Sequence, residues 1–225
     1  PTQVRGRILS AADLLRQAER RVHDRPDVSP ATQLELLAIV GESLFGLQEN
    51  ADAARVVEQA LRLQDSSRID DDLLQARLRL VLSQAYEILG RHEEAKRELT
   101  RSFAALKTSE DPTGRLFLQA TLQQSALAIV LSEYADAERA AKAAIDIASS
   151  MLGPSSSELA TALQQLSHVY TLTQRREQAV EPARRSYTMF LDLHARDLTH
   201  PRVMESALYY GQALHGVGDF EDAFK

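Results

Sequence analysis

The stretch Ala85-Tyr86-Glu87-Ile88-Leu89-Gly90-Arg91-His92-Glu93-Glu94-Ala95 reads as the end of one helix, a tight turn and the start of another. Gly90 supplies a residue that closes a helix in the left-handed conformation at no steric cost. Glu93 and Glu94 fall in the first turn of the next helix, where the helix dipole favours carboxylates. Ala95 then places a methyl group where two paired helices must touch.

The unit recurs. Setting Ala95 in register with Ala53, Ala137, Ala179 and Ala223 gives intervals of 42, 42, 42 and 44 residues, and such a period is the mark of a repeat architecture. Twelve residues before each alanine stand Gly41, Ser83, Ser125, Ser167 and Gly211; six before stand Leu47, Leu89, Leu131, Thr173 and Val217; seven after the first four stand Ala60, Ser102, Ala144 and Ser186. Small residues at two heights let the helices of a hairpin approach closely. The flanking leucines and tyrosines are expected to fill the seam between hairpins. Gln124 shares a column with Val40, Leu82, Leu166 and Tyr210, so a local register shift or a satisfied amide is expected there.

The pattern of a small residue, Tyr or Leu three later, Gly at the turn, an aromatic ring two beyond it and then Ala resembles the tetratricopeptide repeat. Ser83, Tyr86, Gly90, His92, Ala95 and Ser102 show it, as do Gly211, Leu214, Gly218, Phe220 and Ala223. The period exceeds the ~34 residues usual in that family. Met151-Leu152-Gly153-Pro154-Ser155, His200-Pro201, Leu163-Gln164-Gln165-Leu166 and Ala179-Val180-Glu181-Pro182 resemble the long repeats of kinesin light chains. Such arrays accompany bacterial eukaryotic-type Ser/Thr kinases, and Leu14 to Arg20 looks like the lead-in helix of those arrays. The resemblance implies an all-α, right-handed α-solenoid of tetratricopeptide helical hairpins.

In chain order, a lead-in or capping helix is expected within residues 1–28, its apolar face formed by Val4, Ile8, Ala11, Leu15, Ala18 and Val22. Residues 29–225 form the array, with hairpins at 31–64, 71–106, 114–150, 157–192 and 201–225. Ser29-Pro30 and Asp111-Pro112 read as a cap followed by proline at the first helical position, and Ser155 with Glu158 reads as a capping box. The turn at Gln48-Glu49-Asn50 lacks glycine and is expected to end its helix less well. Pro182 lies just past the first turn of its helix. The chain begins at Pro1 and ends part-way into a second helix, which is the expectation for a piece of a longer protein.

Composition fits packed helices: 44% of the 225 residues are hydrophobic, with only 9 Gly and 7 Pro. No apolar run approaches the ~18 residues of a membrane span, and no signal peptide is evident. The absence of cysteine excludes disulfides and thiolate chemistry. A net charge of -6 disfavours direct nucleic-acid or anionic-lipid binding. A cytoplasmic location is expected, although an extracytoplasmic sensor region fits the same composition.

Chemistry is hard to find. The six histidines, including His168 and His215, never take a zinc-ligand spacing. There is no phosphate-binding glycine loop or nucleophile elbow, so neither an enzyme, a cofactor nor a metal is expected. In tetratricopeptide proteins the first helix of each hairpin lines a concave side that holds an extended or helical peptide, and the resemblance implies the same use here. The inward positions read Glu35, Ala38, Glu42 and Phe45; Arg77, Leu80, Gln84 and Glu87; Gln119, Leu122, Ala126 and Ile129; Thr161, Gln164, His168 and Thr171; Glu205, Leu208, Gln212 and His215.

Amides suit backbone recognition whatever the ligand sequence, and Gln164 and Gln165 stand where kinesin light chains carry asparagines. The expected peptide-binding set is Arg77, Gln84, Glu87, Leu122, Ile129, Gln164, Gln165, His168, Gln212 and His215. Of the basic clamp that some family members use for a C-terminal carboxylate, Arg77 is the only candidate. The expected role is a scaffold or sensor region of a bacterial signalling protein, Ser/Thr kinase-associated. The alternatives are the ligand-sensing part of a transcription regulator, or self-association through the C-terminal face.

Overall fold

The computed structural model describes residues 10–23, 27–109 and 114–218. Among them are ten α-helices and no strand: α1 (Ala11–His23), α2 (Pro30–Gly46), α3 (Asn50–Ser67), α4 (Asp72–Ile88), α5 (His92–Thr108), α6 (Arg115–Val130), α7 (Tyr134–Leu152), α8 (Ser157–Leu172), α9 (Arg176–Leu193) and α10 (Pro201–Val217). The chain divides into two compact units, residues 1–112 and 113–225. In the first, α1 packs on α2, α2 pairs with α3 and α4 with α5, and the hairpins stack through α3 and α4. In the second, α6 pairs with α7 and α8 with α9, while α10 packs on both α8 and α9. Residues 1–9, and Phe220 and Ala223 of the fifth hairpin, lie outside the described residues.

Side-chain size sets the pairing. Ala53, Ala95, Ala137 and Ala179 are each fully buried, at 0% exposure. Four serines of the small columns use the short distance to hydrogen-bond the facing helix, while the Ser83 hydroxyl is buried with no partner among the described residues. Ser125 donates to the Ala137 carbonyl at 3.2 Å and Ser167 to the Ala179 carbonyl at 2.8 Å. Lower in the hairpin, Ser102 donates to the Ala76 carbonyl at 2.7 Å and Ser186 to the Ala160 carbonyl at 2.8 Å. A buried bond of this kind is worth about 1 kcal/mol. At Gly41 even a methyl is excluded, because a Cβ there would lie 2.6 Å from the Val57 Cγ2.

The turns are built from backbone alone. Gln48, Gly90, Ser132 and Gln174 occupy one column and all have positive φ, from 60° to 74°. The next amide reaches back five residues in each case: Glu49 to the Leu44 carbonyl, Arg91 to Tyr86, Glu133 to Ala128 and Arg175 to Tyr170, at 2.8–3.0 Å. These are the bonds of a Schellman termination. The helix before Gln48 is therefore closed as fully as the one before Gly90, contrary to the expectation that the missing glycine weakens it.

Other details also depart from the sequence reading. Leu47 and Leu89 remain 46% and 39% exposed beside their turns and do not fill the seams. Tyrosines do: Tyr86 donates to the Glu58 carboxylate at 2.7 Å and Tyr170 lies beneath Arg175, whose Cζ is 4.4 Å from the ring centroid. Arg91 covers Tyr86 in the same way at 4.0 Å. Gln124 is neither shifted nor satisfied in a core. Ser125 keeps its register while Gln124 is exposed to water, which offers its amide the partners that an apolar seam lacks.

Two caps move as well. α8 is capped by Ser156, which accepts from the Leu159 amide at 3.1 Å, so Ser155 is not the cap. α6 begins at Arg115 after Gly114, so Pro112 does not hold its first position; Asp111 and Pro112 lie outside the described residues. Pro182 stands inside α9.

His168 on α8 packs against Tyr209 of α10, with ring centroids 4.9 Å apart. Burial holds its imidazole below the ordinary value of 6.5. The folded protein therefore binds this proton less readily than the unfolded chain. The associated stability is complete above pH 6.5 and is lost as the pH falls below it.

Two predictions follow from these contacts. Gln48→Gly and Ser132→Gly each stabilise the fold by about 0.5–1 kcal/mol in urea unfolding, and Gly90→Ala destabilises it by a similar amount. No atom lies within 4 Å of the added Gly90 methyl, so that cost is backbone strain. Between about pH 7 and pH 5 the melting temperature of the native chain falls more steeply than that of His168→Gln. Parallel curves would remove His168 as the cause.

Candidate functional site

In the first unit the inward positions of α2 and α4 carry three carboxylates, Glu35, Glu42 and Glu87, and one guanidinium, Arg77. Ala38 and Leu80 are buried, at 0% and 3% exposure, and serve the core. Phe45, Gln84 and Glu87 are half-buried and Glu35 is exposed. Arg77 Nε lies 2.8 Å from Glu42 Oε1, an ion pair that links α2 to α4. The candidate clamp arginine therefore already holds a carboxylate of its own chain.

In the second unit the glutamines tie hairpins together. Gln164, 7% exposed, donates from Nε2 to Glu205 Oε1 on α10 at 3.1 Å, and Gln165 donates from Nε2 to the Leu122 carbonyl on α6 at 3.3 Å. A carboxylate and a carbonyl only accept, so both amides must present their NH2 groups to these partners. Among the described residues, both side-chain oxygens are buried with no hydrogen-bond partner. Leu122 and Ile129 are half-buried, packed against Leu118 and Leu159 and against Ala128 and Val169 respectively. Thr161 and Thr171 donate to carbonyls of their own helix at 2.8 and 3.1 Å.

The open part of this face lies on α10. Leu208 is 61% exposed, and Gln212 and His215 are exposed. Together with Thr171 they border a cleft of about 570 Å³, completed by Gln174, Arg176, Ala207, Gly211, Ala213 and Gly216. Four of the inward positions thus share one concavity. Gln174 and Arg176 do not come from a first helix: Gln174 is the positive-φ residue of the turn and Arg176 begins α9. The inward column could not reveal them.

Among the described residues, no group of three His, Asp or Glu side chains could hold a metal ion. Among the same residues, no helix is long and apolar enough to cross a membrane.

No family model matches the sequence, and comparison with curated proteins finds no match. Solved structures do match. BtubC from P. vanneervenii is 15% identical with a TM-score of 0.75, covering 96% of this chain and 88% of that one. A putative kinesin light chain with nearly identical TPR-like repeats, from Podosopora anserina, is 15% identical with a TM-score of 0.67, covering 88% and 92%. A Rap protein complexed with the competence and sporulation factor is 11% identical with a TM-score of 0.75; 95% of this chain matches 56% of that protein. At these identities the likeness is one of architecture: the chain has the α-solenoid fold of the tetratricopeptide-repeat proteins.

Proposed function

We propose that the chain is a non-catalytic module that binds a protein or peptide segment on the first-helix face of its hairpins. The observation that carries this reading is the cleft on the second unit, where Thr171, Leu208, Gln212 and His215 meet at inward positions of two neighbouring hairpins. Apolar floor and polar rim occur together there, the combination by which grooves hold extended or helical segments. A Rap protein of the same fold was solved with the competence and sporulation factor bound, which supports a binding role for this architecture. The module fits best as the scaffold or sensor region of a bacterial signalling protein associated with a Ser/Thr kinase, in the cytoplasm. Gln164, Gln165, His168, Leu122 and Ile129 support this face on the second unit, and Arg77, Gln84 and Glu87 occupy the corresponding face of the first unit, considered by itself.

A second reading is self-association. Met204 and Leu208 of α10 are 58% and 61% exposed, at register positions where Ala160 and Gln164 of α8 are buried. Light scattering at several concentrations separates the readings, since a constant mass of 25.0 kDa rejects association.

Selection from a displayed peptide library tests the main proposal. Gln212→Ala together with His215→Ala, both in the cleft of the second unit, is expected to weaken the selected peptides by about tenfold or more. Arg139→Ala and Arg184→Ala, on exposed faces of second helices, are expected to leave binding unchanged. The opposite ranking would move the interface off the first helices.

A further inference from the structure

Among the described residues, the cleft on the second unit holds an arginine that pairs with no carboxylate. Other arginines of the second unit reach carboxylates: Arg175 bonds Glu138, Arg184 bonds Glu181 and Arg202 bonds Glu205. Arg176, which lines the cleft, contacts neutral oxygens. Its Nε and Nη2 donate to Gln174 Oε1 at 3.1 and 2.8 Å, and its Nη1 donates to the Gly216 carbonyl at 3.3 Å. The stem lies along α10, where a Cβ on Gly216 would meet the Arg176 Cγ at 3.5 Å. The guanidinium is thus held from two sides by neutral oxygens, with no carboxylate on it among the described residues.

Three of the five N–H groups of a guanidinium are used in these bonds, which leaves one on each terminal nitrogen. A carboxylate is the acceptor that matches unused N–H donors on a charged guanidinium. Among the described residues no Asp or Glu lines the cleft. Its remaining wall is largely hydrocarbon, with Leu208, Ala207 and Ala213 beside the glycines 211 and 216. The volume of about 570 Å³ falls in the range of small-molecule pockets. At about 30 Å³ per liquid-like centre it has room for on the order of ten to twenty non-hydrogen atoms.

From this charge and this lining we propose that the cleft binds a small amphipathic carboxylate, its head on Arg176 and its tail over Leu208. This goes beyond the peptide-binding reading, because it names a second class of ligand for the cleft that the two readings share. Such a ligand fills the cleft beside α10 and competes with any peptide segment there.

Octanoate serves as the probe, against octanamide and octylammonium, with the full chain labelled with nitrogen-15 and followed by amide shifts. Octanoate is expected to shift the Gly211 and Gly216 amides saturably, and octanamide to bind about tenfold more weakly. Octylammonium should leave both amides unmoved. Arg176→Gln should abolish the preference for the acid, and Arg176→Lys, which keeps the charge but not the fork, should restore part of it. Equal response to acid and amide in the native chain overturns the proposal without depending on any variant. So does an absence of shifts, or binding of octanoate by Arg176→Gln at native strength. A peptide ending in leucine with a free carboxylate gives the last arm: if it shifts these amides and octanoate does not, the ligand is a chain terminus and the proposal fails. Peptide selection that succeeds despite a negative octanoate result leaves the module reading standing and this one refuted.

Discussion

Close approach of paired helices is the constraint on which the structure rests. Each hairpin is held where a methyl or hydroxymethyl group of one helix faces the backbone of the other. Ala137 and Ala179 receive serine hydroxyls on their carbonyls, and Gly41 leaves no space even for a methyl. Because that contact consumes one face of each first helix, and stacking consumes a second, a third face remains outside the hairpin core. The polar and apolar side chains at Gln84, Leu208 and Gln212 are products of that division.

The turn solves a separate problem with different means. Its bonds run from amide to carbonyl and no side chain caps α3, α5, α7 or α9. Any residue that tolerates a positive φ can therefore sit at its centre, which explains why glutamine and serine alternate there with glycine. Freed from a capping duty, the turn side chains are available for other work, and Gln174 uses its oxygen to hold Arg176.

The hairpin period was legible in the residues because helix contact constrains side-chain volume, and volume is visible in a sequence. The inward column was legible for the same geometric reason. What surrounds those positions was not. That Arg77 faces Glu42, or that Gln164 faces Glu205, depends on neighbouring hairpins some 35 to 41 residues away. Of the leucines and tyrosines expected in the seams, Leu47 and Leu89 stay exposed, because hydrophobicity alone does not say which residue lies at a turn. The tyrosines hold the seams, and Tyr86 with Arg91 and Tyr170 with Arg175 are a doubled pattern that a search at twice the period would have found. Gln174 and Arg176 escaped because they come from a turn and from the start of a second helix, while the inward column follows first helices alone.

The most direct measurement is the unfolding free energy of Ala179→Leu beside that of Gln178→Leu. Ala179 is at 0% exposure in the hairpin contact and Gln178 is exposed one residue away. If helix approach governs the fold, Ala179→Leu loses about 1–3 kcal/mol or more through overpacking, while Gln178→Leu changes little. Equal stability of the two variants would contradict the account, since the paired helices would then have room that the structure denies them.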